Sequence, residues 1–119
     1  MNITLLQPAG LVASPAFSHV AIVPAGATTI YVGGQNGVDW RGRVVSTRLG
    51  PQTEQALRNV LAVLRAAGAT QADVAKLTVH VVAGADIGEA FAASQEVCGR
   101  HPSRSEEDER PRRKVLPFQ

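Results

Sequence analysis

The spacing of apolar residues along this chain changes character near position 50. Before that point there are short runs broken by turn residues. His19–Val23 is a β-branched and apolar run that stops at Pro24. Pro24-Ala25-Gly26-Ala27 is turn material, and Thr28–Val32 follows with Ile30 and Val32 on one face and Tyr31 on the other. Two such runs so close together predict a hairpin. Gly33-Gly34 ends the alternation, Asn36-Gly37 and Arg41-Gly42 signal further turns, and Val44-Val45 reads as a short edge strand.

Beyond position 50 the period becomes helical. Leu57, Val60, Leu61 and Leu64 recur at i, i+3, i+4 and i+7, which places them on one stripe. Pro51 suits a helix start, Glu54 and Arg58 form an i,i+4 pair in the favourable order, and Gly68 suits a C-terminal cap. The spacing predicts a helix over about 51–67. Asp73–Lys76 then leads into a strand at Leu77–Val82, with Leu77, Val79 and Val81 on one face and Thr78, His80 and Val82 on the other. Gly84 and Asp86 break it. A weaker helical stripe of Ile87, Ala90, Phe91, Ser94 and Val97 or Cys98 ends near Gly99. The order predicts an α+β fold with two helices on one face of a sheet. The other sheet face is then either solvated or covered by a partner.

The pattern stops at residue 106. Residues 106–114 carry no apolar side chain, which excludes a buried strand or an amphipathic helix there. The expected organisation is one domain over 1–105 and a charged, loosely attached tail over 106–119. A chain of 119 residues with 45% hydrophobic residues has material for one core and not for two. Its mean hydropathy is zero.

Charge sharpens this division. Residues 1–99 hold six basic and six acidic residues, so the net charge of +2 belongs entirely to the last twenty positions, where six bases face four acids. A nucleic-acid-binding face would not distribute charge that way, and with aromatics at 4% there is little to stack bases on, so no nucleic-acid partner is expected. The N-terminal residues lack the basic start of a signal peptide, and no apolar run has the ~18 residues of a membrane helix. The expectation is a cytoplasmic chain, with no membrane partner and Cys98 reduced.

Most standard machinery is missing: no Gly-x-Gly-x-x-Gly after a strand, no phosphate-binding loop, no His-Glu-x-x-His. His19, His80 and His101 are scattered without a ligand-like spacing, and one cysteine cannot build a thiolate metal site. Cys98 reads as a small core residue of the second helix. Four segments are more specific. They are Pro15-Ala16-Phe17-Ser18-His19, Val32-Gly33-Gly34-Gln35, the helix from Gln52-Thr53 through Asn59-Val60 to Ala66-Ala67-Gly68, and Asp73-Val74-Ala75-Lys76-Leu77-Thr78-Val79.

In this order and spacing, over about 15–105, the four segments resemble the YjgF/RidA family. The resemblance implies a chorismate-mutase-like α+β fold. It implies a homotrimer with ligand clefts between subunits, which would cover the open sheet face. The implied activity is hydrolysis of small reactive enamines and imines, such as 2-aminoacrylate, to a 2-keto acid and ammonia, with no cofactor. It assigns Arg104, in Pro102-Ser103-Arg104-Ser105, to the substrate carboxylate, Gly34 to the backbone lining the cleft, Phe17 to the cleft wall, and Phe91 to a nearby position. A guanidinium fork suits a planar carboxylate. Plainer readings stay open: Gly34 as a bulge or turn residue, Phe17 as core, and Arg104 as a solvated base.

Three departures stand out. Phe17 lacks the tyrosine hydroxyl common in the family. Phe91 is apolar where deaminating members tend to have Asn. The family's closing Glu-Ile-Glu strand, which supplies a glutamate to the site, has no counterpart in Glu106-Glu107-Asp108-Glu109. The tail is expected to be an out-of-frame or truncated ending. Alternatives to the enzyme are therefore a non-catalytic trimer that binds a small metabolite or a protein, and a chain that fails to assemble because its sheet edges are exposed. Nucleic-acid binding by the basic tail is a weaker idea, because four acids precede the bases.

Overall fold

The computed structural model describes residues 3–13 and 18–98. Within this range the chain forms two compact units, one from 3–13, 18–29 and 69–80, and one from 30–68 and 81–98.

The first unit is built on β1 (Thr4–Leu6) and β2 (Val20–Ile22). They pair antiparallel in the register Thr4↔Ile22, Leu5↔Ala21, Leu6↔Val20, and the His19 amide donates to the Leu6 carbonyl at 3.1 Å. Ile3 and Leu5 alternate into the core, Leu5 with 1% of its surface exposed. Ala21 opposite Leu5 is half-buried, whereas Val20 and Ile22 are exposed. Gln7 Nε2 donates to the Val12 carbonyl at 2.6 Å, and a His19 ring nitrogen lies 2.8 Å from the same oxygen, which folds the 7–13 loop back on the strand. Residues Gln71–Asp73 form one 3-10 turn, closed by the Asp73 carboxylate accepting from the Thr70 amide at 2.9 Å.

The expected hairpin between 19–23 and 28–32 is not made. β2 pairs with β1, at a residue run the hydrophobic pattern did not single out. The Pro24–Ala27 turn explains the difference. Ala27 donates to the Pro24 carbonyl at 3.3 Å and Gly26 sits at φ +81, a type II arrangement. Type II turns splay the flanking strands, while tight hairpins use the primed types. Among the described residues, neither 28–32 nor 77–82 joins a ladder. Their β-branched composition favours a pleated surface but supplies no partner.

The second unit is built on α1 (Leu49–Ala66) and α2 (Ile87–Cys98), packed against each other. Leu57 and Leu64 are buried, as is Ala90 on α2, and Val60 and Leu61 are half-buried beside them, so the predicted stripe is the packed face. Ile87, expected on the α2 stripe, is exposed. Glu54 and Arg58 are paired at 2.9 Å. α1 ends as its sequence predicts, with Ala67 donating to the Val63 carbonyl and Gly68 at φ +77. The N-terminus of α1 has no capping side chain of its own; instead Glu89 of α2 lies against Gly50, with its Oε1 2.9 Å from Arg48 Nη2. That contact is an ion pair by distance, and its angle falls outside hydrogen-bond alignment. Two helices and a small antiparallel sheet make an α+β chain, in line with the fold class the pattern predicts.

Candidate functional site

The glycine loop that begins at Gly33 is fastened to α1 by two amide side chains, and a third orients one of them. Gln52, Gln55 and Asn59 lie at i, i+3 and i+7, so they share one stripe of the helix. Asn59 Nδ2 donates to two backbone carbonyls, Asn36 at 3.2 Å and Val38 at 3.0 Å. Its Oδ1 accepts from Gln55 Nε2 at 2.9 Å, which fixes the orientation of the amide. Gln52 Nε2 donates to the Ser46 carbonyl at 2.7 Å.

Gly37 meets the same helix directly. A Cβ there would stand 2.6 Å from Gln52 Cα, so only a glycine allows this approach. The Val38 amide donates to the Asn36 carbonyl at 2.8 Å, and Val45 to the Gly37 carbonyl at 2.9 Å. Val38 and Val44 form an antiparallel bridge, which is what becomes of the expected edge strand. The turn between them is rigid: Asp39 Oδ1 accepts from the Arg41 and Arg43 amides at 2.9 and 3.0 Å, and Gly42 adopts φ +78.

Gly33 and Gly34 differ from these. Neither has a positive φ, and a Cβ on either would have nothing within 4 Å among the described residues. Both are exposed, and among the described residues Gln35 hydrogen-bonds back to them, its Nε2 donating to the Gly33 carbonyl at 3.2 Å. Neither backbone conformation nor crowding within the described chain requires glycine there. A glycine of that kind suits close approach by a ligand or another backbone.

The other predicted residues are less informative. Phe91 is half-buried on α2, with its carbonyl accepting from Ser94 Oγ at 2.7 Å. No atom of it lies within 4 Å of a Cβ built on Gly34. Phe17 and Arg104 lie outside the described residues. Burial pushes the Cys98 thiol up from its ordinary range, which keeps it protonated. Among the described residues no group of three or more His, Cys, Asp or Glu side chains is placed to hold a metal ion. No helix there is long and apolar enough to cross a membrane.

Gln52 and Asn59 belong to the helix motif, but the resemblance gives them no role at the site. A signal was available: polar amides at i and i+7, on a helix whose apolar stripe is already complete, face something that needs hydrogen bonds.

Two helices, a small antiparallel sheet and a glycine loop docked on the first helix are the parts of a Rid-type α+β domain. The family model for Endoribonuclease L-PSP matches residues 9–116, and the chain belongs to this family, the YjgF/RidA family its motifs resemble. The matched span includes Phe17, Gly34, Phe91 and Arg104. Among solved structures, the chain is similar to YyfB of Yersinia pestis, a Rid-family protein of unknown function. The two are 28% identical with a TM-score of 0.73, over 100% of this chain and 86% of that one. A candidate endoribonuclease of Thermotoga maritima shares the fold, at 23% identity and a TM-score of 0.58, over 97% of this chain and 76% of that one. No curated protein matches significantly.

Proposed function

We propose that this chain hydrolyses small reactive enamines and imines of the 2-aminoacrylate type to 2-keto acids and ammonia, as a homotrimer in the cytoplasm. Family membership sets the frame, and Gly34 is the observation that carries the reading: a glycine, at what the motif resemblance takes as the cleft position, that the described residues do not require. In this reading the guanidinium of Arg104 grips the substrate carboxylate with two parallel hydrogen bonds. The backbone at Gly34 holds the imine nitrogen. Water adds to the C=N carbon, the nitrogen takes a proton, and the carbinolamine so formed loses ammonia to leave the ketone. Positioning and orientation supply most of the acceleration, because an imine carbon is already electrophilic.

The trimer is part of the proposal. Val20 and Ile22 on β2, and separately Ile30, Tyr31 and Val82, are large apolar side chains left in solvent. Surfaces of this kind mark interfaces, and a two-stranded sheet alone is marginal in water.

Ammonia release from a 2-imino acid generated in situ tests the reading. Arg104→Ala should remove turnover with the oligomer intact. Gly34→Ala should cut turnover while stability stays within about 0.5 kcal/mol, since its Cβ enters open space. Wild-type turnover in both variants refutes the assigned roles. A second reading, a non-catalytic trimer that binds a metabolite or protein, is favoured by the apolar Phe91. It predicts a folded trimer with no imine hydrolysis. Cleavage of single-stranded RNA with imine untouched would replace both readings by the activity in the family's name.

A further inference from the structure

We propose that Asn59 is a positioning residue for the ligand cleft, holding the Gly33–Gly34 backbone in place through the carbonyls of Asn36 and Val38. This deepens the reading above and rests on its placing of Gly34 in the cleft.

The hydrogen-bonding capacity of the amide is well used. Both loop carbonyls are reached by Nδ2, and Oδ1 is occupied by Gln55. Only glutamine, one methylene longer, also supplies two donors on one nitrogen and an acceptor beside it. Aspartate would turn acceptor oxygens toward two carbonyls. Serine has one donor and is too short by an atom.

The attachment also fixes direction. Gly37 touches the helix at Gln52, and Asn59 grips the carbonyls on either side of Gly37. These contacts fall on the consecutive residues 36–38, so one close backbone approach and two hydrogen bonds together hold this short segment against α1.

Upstream the support ends. Among the described residues, the polar contact at Gly33–Gly34 is the local one from Gln35, and no atom crowds either glycine. Gly34 stands three positions before Gly37 and two before Asn36. The order of its backbone is therefore inherited from the clamp. Because a misplacement of about 1 Å can cost on the order of a hundredfold in rate, a clamp away from the reacting atoms has a kinetic signature.

The experiment is amide hydrogen exchange by NMR on the full chain, together with steady-state imine hydrolysis, for wild type, Asn59→Asp and Gln55→Ala. In Asn59→Asp the amides of Val38 and Val45, which donate to the carbonyls of Asn36 and Gly37, should exchange about tenfold faster or more, with those of Leu61 and Leu64 in α1 unchanged. For imine hydrolysis kcat should fall by about tenfold to a hundredfold, with KM moving less. Gln55→Ala keeps the Asn59 donors and frees their orientation, so both shifts should have the same direction and smaller size. It is the deciding variant if Asn59→Asp does not fold.

Wild-type exchange at Val38 and Val45 in a folded variant overturns the clamp. Faster exchange with unchanged kcat overturns the positioning role and leaves a structural contact. A wild-type chain without imine hydrolysis sinks the functional reading, and with it the cleft role given to Asn59; the exchange data would still decide whether Asn59 orders the loop.

Discussion

At Gly50 a methyl group would stand 2.7 Å from Glu89 Oε1 and 2.8 Å from Glu89 Cγ. At Gly37 it would stand 2.6 Å from the Cα of Gln52. The two glycines look alike in the sequence and differ in what they would strike. Glu89 can swing away, losing its ion pair with a mostly exposed Arg48, whereas the α1 backbone cannot move. Gly50→Ala should therefore cost about 1 kcal/mol or less, and Gly37→Ala about 1–3 kcal/mol as overpacking does. Urea unfolding measures both. In a Glu89→Ala background the sign at Gly50 should reverse, because alanine is better than glycine inside a helix by about 1 kcal/mol. Cys98 supplies the pH-dependent case. Desolvation raises its pKa in the folded chain, so the native thiol holds its proton where the unfolded thiol releases it. Stability from this source is intact below the unfolded thiol's range and declines as pH rises toward the native pKa. Iodoacetamide should label the native chain more slowly than the urea-unfolded chain near neutral pH, and the gap should narrow on the alkaline side. Equal rates throughout would show that burial does not govern this thiol.

α1 is the element where pattern and packing agree. Leu57 and Leu64 are buried on the face that their spacing defines, while Arg58 reaches Glu54 in solvent. Leu64→Ala should cost about 2–5 kcal/mol, and Arg58→Ala no more than about 0.5 kcal/mol. Thermal or urea unfolding distinguishes these, and similar losses would mean that α1 is not anchored by its apolar stripe. The strands behave differently. Val20–Ile22 pairs with Thr4–Leu6 because the type II turn after Val23 sends the chain away from a hairpin. A strand is half of a contact, and the pattern in one segment does not name the other half. A helix closes its own hydrogen bonds, so its period is sufficient to announce it.

For the whole molecule the open question is what covers the exposed apolar residues. Val20 and Ile22 in one unit and Ile30, Tyr31 and Val82 in the other are not explained by the chain's own core. The proposed trimer predicts a mass near three times 12.5 kDa by light scattering at micromolar concentration. Replacing Ile22 by Asp, on the exposed face of β2, should shift the population toward monomer. A monomeric wild-type chain would remove the inter-subunit clefts and the deaminase reading with them.

The sequence by itself determined the two helices, the C-terminal end of α1 at Gly68, the turn at Pro24–Ala27 and the family, because each is written in local spacing or in a run of motif residues. The span matched by that family includes Gly34 and Phe91. Only tertiary structure decided that β1 is the partner of β2, that Glu89 stands at the start of α1, and that Asn59 grips the carbonyls of Asn36 and Val38, 23 and 21 positions away. Those contacts join residues far apart in the chain, and their energies depend on donors, acceptors and space that local spacing does not encode. For the same reason a glycine that the fold requires, Gly37, and one that it does not, Gly34, are indistinguishable as letters and distinct once their neighbours are in place.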